Sequence, residues 1–312
     1  MRFIANRIIA GPHFDPGKDL ESPEDAQFAT APISKSTAIF NGISKPLGHE
    51  FANGQHGISK SDAISRTFEP LAYHLGKQFH VSVPPTVLRK NQDEPTIAHG
   101  LPTQYSVQQR VAGLPFEEIN NKEDRAAVHA HPDFHKMALF DWMMANRDRH
   151  GGNFLYDKAR NQVHAIDNGM AGDYRPRASN FQQTMPNGDI VNSHIEQDMD
   201  HNLKRSALSG GNIPEDFRKA VTTADPAEHA ALWARYMNHP TFDKMVSERQ
   251  DAMFPGHKLY PGVDKETIRQ DMPRQYLARL ATLKRHFADP NIRTMKDVYK
   301  KLYPYMQGPE FR

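Results

Sequence analysis

The spacing of hydrophobic and polar residues changes about a third of the way along the chain. Short apolar or alternating runs at Thr37–Phe40, Val81–Leu88 and Tyr105–Val111 are bounded by glycine or proline, which is typical of extended chain and β-strands. Beyond Gly113, apolar residues recur mainly at helical spacing. This order predicts an α+β fold with a small β-containing N-lobe and a larger, mostly helical C-lobe.

Local signals predict where several helices begin and end. One helix is expected from Asp62, which can cap it, to Gly76, which can end it, although Pro70 interrupts its middle. A second follows a Pro132 start and carries apolar residues at helical spacing over His135–Ala145. Three further helix starts are expected toward the C-terminus, at Ile213, Asp225 and Asp271.

The same signals divide the chain into three parts. Residues 1–30 are polar and rich in turn signals, so an irregular leader is expected there. The N-lobe is expected over residues 31–112, and the C-lobe with a helical C-terminal extension over residues 113–312. The stretch Asn41–Ser61 is polar and glycine-rich, with no element assigned to it, and Gly172–Asn192 is expected to be a mobile loop.

Composition narrows the class of protein. The chain has 312 residues, no cysteine and a net charge of +2, so a disulfide framework and a thiolate zinc site are excluded. No apolar run approaches the roughly 18 residues of a membrane span, and Arg7 comes too early for a signal-peptide core. We expect a soluble protein, cytoplasmic or delivered by a route without a cleaved signal. No basic patch with interleaved aromatic residues indicates nucleic acid.

Three polar residues in the middle of the chain carry the chemistry. Asp148 is followed five residues later by Asn153, and Asp167 follows after a short gap, two residues before Gly169. This is the spacing of phosphoryl-transfer sites, where the first carboxylate handles the acceptor hydroxyl and the other two groups hold Mg²⁺. Each feature alone is a common turn signal. Together and in order, they predict transfer of the γ-phosphate of ATP with Mg²⁺, or with Mn²⁺ in its place.

Such a site also needs a lysine for the phosphates and a carboxylate that holds the lysine. Lys45 follows the first strand candidate, and Glu69 lies on the next predicted helix. Lys35 and Lys60 are alternative lysines, and Glu50 is an alternative partner. No G-x-G-x-x-G sequence is present, so the residues of a phosphate loop stay unspecified.

These motifs resemble a known family. Asn146–Asn153 with Ile166–Gly169 resembles the catalytic and metal motifs of the phosphatidylinositol 3-/4-kinase superfamily. The resemblance is closest to its bacterial atypical-kinase branch, which includes HipA-like serine kinases, and the eukaryotic secretory-pathway kinases share a similar pattern. Lys45–Gly48 resembles the nucleotide-lysine motif, Glu69–Tyr73 the Glu-containing helix, and Ser106–Gln108 the hinge that meets adenine.

The resemblance implies a kinase-like fold with ATP between two lobes. It assigns catalysis to Asp148, the phosphate contact to Lys45 with Glu69 as its partner, and the Mg²⁺ ligands to Asn153 and Asp167. His150 is the second candidate catalytic residue. In the lipid-kinase branch a histidine at this place is linked to proton handling, whereas in other members it braces the loop.

Several functions are compatible with this pattern. The leading interpretation is a serine/threonine kinase with a protein substrate. A phosphoinositide kinase with a lipid substrate, a nucleotide-binding pseudokinase and an enzyme that transfers another part of the nucleotide are alternatives on the same fold. A metal site built from histidine, such as that of a nuclease, belongs to a different class. Four histidines raise this alternative: His129, His131, His135 and His150.

Overall fold

The computed structural model describes most of the chain. It covers residues 23–39, 46–90, 104–146, 148–169, 171, 182–184, 190–192, 197–251 and 264–304. Strands predominate in the first part, and helices dominate the part that follows. The predicted α+β class, with a small β-containing lobe before a mostly helical one, is confirmed.

The N-lobe is built on a five-stranded antiparallel sheet. Its strands are β1 (Ile33–Ala38), β2 (Leu47–Phe51), β3 (His56–Lys60), β4 (Thr86–Lys90) and β5 (Gln104–Gln109), and their order across the sheet is β1-β2-β3-β5-β4. Helix α1 (Pro23–Thr30) packs against this sheet and buries Phe28 with Phe51 and Val107. The expected irregular leader over residues 1–30 therefore contains a helix in its last part, and its earlier part lies outside the described residues.

Strands β2 and β3 occupy the polar stretch that had no predicted element. Their buried positions include His49, Gly57 and Ser59, which are polar or small, so no hydrophobic alternation marks the strands. The His49 ring satisfies these polar groups, with Nε2 2.7 Å from the Ser59 hydroxyl and Nδ1 2.9 Å from the Ser36 hydroxyl. Hydrogen bonding thus replaces apolar packing at this point of the sheet.

Helix α2 (Ala63–Gln78) connects β3 to the rest of the N-lobe and carries Glu69. Asp62 caps it as predicted, because its carboxylate accepts a hydrogen bond from the Ser65 amide at 2.7 Å. The helix continues through Pro70, and the predicted end at Gly76 is wrong. A Cβ at Gly76 would lie 2.7 Å from a Val83 methyl, so this glycine serves the close approach of the following chain.

The C-lobe combines a small sheet with a set of helices. Its sheet contains β6 (Leu114–Pro115), β7 (Phe154–Asp157) and β8 (Gln162–Ala165), and β7 and β8 form an antiparallel hairpin. The helices are α3 (Lys122–His129), α4 (Pro132–Met144), α5 (Gln197–Leu208), α6 (Glu215–Thr223), α7 (Pro226–Met237), α8 (Pro240–Asp251), α9 (Lys265–Ala288) and α10 (Met295–Leu302). Of the expected loop Gly172–Asn192, only the paired strands β9 (Gln182–Thr184) and β10 (Ile190–Asn192) are described.

Of the three helix starts predicted toward the C-terminus, two agree with the structure to within two residues and the third is wrong. Helix α6 begins two residues after Ile213, and Asp225 caps α7. Asp271 is not a cap, because α9 already begins at Lys265. Its cap is Asp264, whose carboxylate accepts a hydrogen bond from the Thr267 amide at 3.0 Å. The proline within α9 hid the earlier turns of this helix from the sequence pattern.

One hydrophobic core joins α2 to the C-lobe. It contains Trp142 of α4 and Trp233 of α7, both almost fully buried. The predicted boundary between the lobes at residue 112 stays a prediction. In the part of the chain that the structure describes, no helix combines the length and the apolar character needed to cross a membrane.

Buried histidine makes the stability depend on pH. The ring of His229 stacks on Phe79, and its Nδ1 lies 2.9 Å from the Tyr276 hydroxyl. Burial lowers the pKa of His229 from 6.5 to about 4. Below pH 6.5 the unfolded chain therefore binds a proton that the folded chain does not. The stabilisation is complete above pH 6.5 and declines as the pH falls toward 4.

We expect the free energy of unfolding to fall by about 2 kcal/mol between pH 7 and pH 5 from His229 alone. Urea unfolding at both pH values measures the difference. The variant His229→Gln should reduce it, because glutamine keeps a hydrogen-bond acceptor for Tyr276 without a group that titrates. The matched control is His56→Gln on the exposed side of β3, which should leave the difference unchanged. An undiminished difference in His229→Gln would contradict this explanation.

Candidate active site

A mostly buried lysine connects two carboxylates from distant parts of the chain. Lys60 is the last residue of β3, and its Nζ lies 2.6 Å from Glu69 Oε1 on α2. The same Nζ lies 2.7 Å from Asp167 Oδ1, just after β8. The structure thus places the predicted residues Glu69 and Asp167 on either side of one ammonium group.

Burial and charge act in opposite directions on this cluster. Burial lowers the pKa of Lys60, but the carboxylates of Glu69 and Asp167 outweigh it, so the pKa lies above its ordinary value. Burial raises the pKa of Glu69 to about 7, opposed by Lys60 and reinforced by Asp167. Lys60 therefore stays protonated, and Glu69 depends on Lys60 to remain a carboxylate in its buried position.

The predicted role of Lys45 stays a prediction, and the structure brings the alternative lysine Lys60 to Glu69. Lys45 lies outside the described residues, and Lys35 is an exposed residue 3.5 Å from Glu50. Among the described lysines it is Lys60 that contacts Glu69. The available signal in the sequence was the position of Lys60, two residues before the cap Asp62 of the helix that carries Glu69. That signal was missed because β3 has no hydrophobic alternation.

A buried ion pair lies beneath the loop of Asp148 and Asn153. Helix α4 is followed by Ala145 in the left-handed conformation, with φ of 52°, and the chain then turns back to Arg149. Arg149 Nε and Nη2 lie 3.0 Å from the two carboxylate oxygens of Asp141 on α4. Burial raises the pKa of Asp141, and the Arg149 charge opposes that rise. The pair fixes the loop to the end of α4.

The remaining donors of Arg149 connect two loops. Nη1 donates to the carbonyl of Asn153 at 2.5 Å and to the carbonyl of Ile166, while Nη2 also donates to the amide oxygen of Asn168. With the two bonds to Asp141, every N–H of the guanidinium has an acceptor. One side chain therefore holds the loop of Asp148 and Asn153 against the loop of Asp167.

Asp148 and Asn153 contact each other directly. The Asn153 amide nitrogen donates to the Asp148 carbonyl at 2.6 Å and lies 3.3 Å from its carboxylate. Asp148 is exposed, yet partial burial raises the pKa of its carboxyl. The charge of Asp167 adds to this shift, whereas the charge of His150 and the hydrogen bond from Asn153 oppose it. A carboxyl with a raised pKa is a better proton acceptor than an ordinary aspartate.

Asp167 stands at a sharp change of chain direction. Its φ is 52°, a left-handed conformation that is uncommon for a residue other than glycine. Gly169 follows at a close approach to α2, since a Cβ there would lie 3.0 Å from the Ser65 hydroxyl oxygen. These two features direct the Asp167 side chain toward Lys60, and it remains 42% exposed.

The donor atoms of Asn153 and Asp167 fit a hard divalent cation. The amide nitrogen of Asn153 donates to Asp148, so its side-chain oxygen is available to a cation, and Asp167 offers a partly exposed carboxylate. Mg²⁺ typically takes one or two protein oxygens and completes its shell with water and substrate phosphates. The described residues contain no group of three or more His, Cys, Asp or Glu side chains placed to hold a metal ion.

The histidines of the alternative metal site have separate surroundings. His150 is exposed, accepts a hydrogen bond from the Gly152 amide at 3.1 Å and lies 3.9 Å from the Glu117 carboxylate. A catalytic role for His150 stays a prediction. His129 lies between two aromatic rings, His131 caps α4, and His135 contacts the Ser206 hydroxyl at 2.6 Å.

An open cavity of about 460 Å³ lies along the N-lobe sheet. Ile39, Gly48 and Ile58 give it an apolar part, and Glu50 and Arg110 are among its charged residues. Side chains alternate along a strand, so Ile58 lies on the same face of β3 as Lys60. The cavity therefore extends along the sheet face that carries the lysine.

Loss of the guanidinium should destabilise the protein strongly. We expect Arg149→Met to lower the free energy of unfolding by about 3 to 5 kcal/mol, because it leaves the Asp141 carboxylate buried without a cation. The double variant Arg149→Met/Asp141→Leu removes both charges and should recover part of this loss. Urea unfolding measures both effects. A double variant no more stable than Arg149→Met would contradict the role given to the ion pair.

Comparison with known proteins gives a family match over the middle of the chain. Residues 131–201 match the family described as phosphatidylinositol 3- and 4-kinase. No curated protein sequence matches significantly.

Some solved structures are similar over most of the chain. One is the Golgi casein kinase with Mn/ADP bound, at 14% identity and a TM-score of 0.44, with 83% of this chain and 74% of that chain covered. Another is the Helicobacter pylori proinflammatory kinase CtkA, at 13% identity and a TM-score of 0.41, with 84% of this chain and 97% of that chain covered. A third is hydra Fam20 with sugar, at 12% identity and a TM-score of 0.41, with 91% of this chain and 95% of that chain covered. These TM-scores lie below 0.5, so the likenesses do not bear on activity. The segment that carries Asp148, Asn153 and Asp167 is similar to the phosphatidylinositol 3- and 4-kinase family.

Proposed function

We propose that the protein is an ATP-dependent phosphotransferase. The observation that carries this proposal is the position of Lys60, which lies within hydrogen-bond distance of both Glu69 and Asp167. A lysine paired with a helix carboxylate and placed beside a metal-binding aspartate is the arrangement that phosphoryl transfer requires. The match of residues 131–201 to the phosphatidylinositol 3- and 4-kinase family supports the same activity.

In the proposed reaction, ATP occupies the cavity along the N-lobe sheet, with its phosphates toward Lys60. The acceptor hydroxyl oxygen attacks the γ-phosphorus while the bond to the β–γ bridging oxygen breaks, and ADP leaves. Asp148 accepts the hydroxyl proton, a role that suits its raised pKa. His150 braces the loop of Asp148 through its contact with Gly152.

The other residues provide position and charge. Lys60 takes the phosphate contact predicted for Lys45, and Glu69 holds the lysine from its buried position on α2. Asn153 and Asp167 would hold Mg²⁺ or Mn²⁺, which when bound neutralises charge on the phosphate oxygens. Arg149 keeps these ligands and Asp148 in one arrangement by its contacts to both loops.

We propose a serine or threonine hydroxyl of a protein as the acceptor. A phosphoinositide is the second candidate, favoured by the family matched over residues 131–201. Radiolabelled ATP should be offered with generic protein substrates and with phosphoinositide vesicles in parallel reactions. Label in lipid alone would overturn the protein acceptor. Thermal stabilisation by nucleotide without transfer to either acceptor would indicate a pseudokinase.

The lysine assignment predicts a contrast between two variants. Lys60→Met should lower the rate of phosphate transfer by about 100-fold or more, because charge stabilisation in a protected site is lost. Glu69 can then take up a proton, since its pKa is already about 7, so the fold should persist. Lys35→Met, the exposed control, should stay close to wild type.

Steady-state transfer rates and circular dichroism of both variants measure this contrast. Lys45→Met is measured as a third variant, because Lys45 is the lysine predicted from sequence. Full activity in Lys60→Met would contradict the assignment, and a large loss in Lys45→Met alone would return the role to Lys45.

Substitution of Asp167 and substitution of Asp148 should impair different steps, cation binding in the first case and proton transfer in the second. Asp167→Asn should abolish transfer and remove the Mg²⁺-dependent thermal stabilisation by nucleotide, because the cation loses a charged ligand. Asp148→Asn should reduce turnover by about 100-fold or more while nucleotide stabilisation persists, because only the proton acceptor is lost. Parallel thermal melts and transfer assays measure both variants. Full turnover in Asp148→Asn would show that this residue is not the base.

A further inference from the structure

The helix that carries Glu69 is enclosed by helices from the end of the chain. Helix α2 packs on α7 and α8, and its residues from Ser65 to Leu75 are buried. The Phe68 ring meets Trp233 edge to face with centroids 6.4 Å apart, and the His74 ring lies 6.2 Å from Tyr236. Glu69 itself is 1% exposed. The surroundings of α2 therefore leave little room for it to rotate or shift.

A chain of hydrogen bonds links this helix to the start of α8. The Thr67 hydroxyl lies 3.4 Å from the Thr241 hydroxyl, which lies 2.8 Å from Nδ1 of His239. The same Nδ1 accepts from the Thr241 amide at 3.2 Å, so it is the unprotonated ring nitrogen. The Thr241 hydroxyl consequently donates to His239 and accepts from Thr67. All three side chains are buried.

Thr67 precedes Glu69 by two residues on the same helix. A rotation of α2 that broke the Thr67–Thr241 contact would therefore also displace the Glu69 carboxylate from Lys60. In protein kinases the lysine–glutamate pair must be in place for activity, and the position of its helix controls it. Here the same chain supplies the contacts that fix this helix, from α7 and α8.

We propose that Thr241 is a positioning residue of the phosphoryl-transfer site. Through Thr67 it holds α2 at the rotation in which Glu69 meets Lys60, and α7 and α8 act as a built-in clamp on the Glu69 helix. This inference rests on the proposed function and deepens it. It gives the C-terminal helices a role in the site.

The test compares Thr241→Val, which loses the hydroxyl at nearly constant size, with Thr241→Ser, which keeps it. Ser247→Ala is the matched control, because Ser247 lies on the exposed side of the same helix α8. Thr67→Val and the double variant Thr67→Val/Thr241→Val complete a double-mutant cycle. Each full-length variant is measured for kcat, for KM of ATP, and for hydrogen–deuterium exchange of the α2 amides.

We expect kcat to fall about two- to tenfold in Thr241→Val, the range that corresponds to one net hydrogen bond. The α2 amides should exchange faster in this variant, while other helices keep their rates. Thr241→Ser and Ser247→Ala should match the wild type. The effects of Thr67→Val and Thr241→Val should be less than additive in the double variant, because both remove the contact between these two hydroxyls.

Unchanged kcat and unchanged α2 exchange in Thr241→Val would overturn the proposal. Equal acceleration of exchange in every helix would also overturn it, because that result shows a general loss of stability. If Thr241→Val does not fold, a comparison of Thr67→Val with Thr67→Ser tests the same contact through its other residue. Absence of transfer in the wild type would refute the proposed function, and α2 exchange would then decide the positioning role by itself.

Discussion

The buried ion pair between Arg149 and Asp141 is the constraint on which the site depends. Removing both charges from water is costly, and their mutual attraction offsets the cost only when every donor and acceptor is satisfied. Arg149 meets this condition with the carbonyls of Asn153 and Ile166 and the amide of Asn168. An apolar side chain would fill the same space. It could not orient two loops, because apolar contacts have no direction.

The C-lobe half of the site could be predicted from sequence because it is local. Asp148, Asn153 and Asp167 lie on either side of one hairpin, and the Ile166 amide donates to the Asn153 carbonyl at 3.0 Å. Sequence spacing therefore approximates distance in space. In the N-lobe half of the site, sequence spacing does not approximate distance in space. Lys60 lies on a strand whose buried residues are polar or small, and periodicity cannot detect such a strand.

Tertiary packing explains why some local signals misled. Glycine usually ends a helix because it adopts left-handed conformations, yet Gly76 lies within α2, where the close approach of Val83 leaves no room for a side chain. Asp271 precedes an apolar stripe as a cap would, yet α9 extends back to the cap Asp264. In both cases the sequence carries a valid local preference, and residues several positions away decide the outcome.

The charges of the site also determine what form of nucleotide it can accept. Lys60 brings one positive charge, whereas Glu69, Asp167 and Asp148 bring three negative charges to the same region when ionised. A bare triphosphate would be repelled by this excess of negative charge, and a divalent cation would be attracted. The proposed substrate is therefore the nucleotide–cation complex. Glu69 can keep Lys60 in place while this complex enters, because α2 is held from outside the site by Thr241.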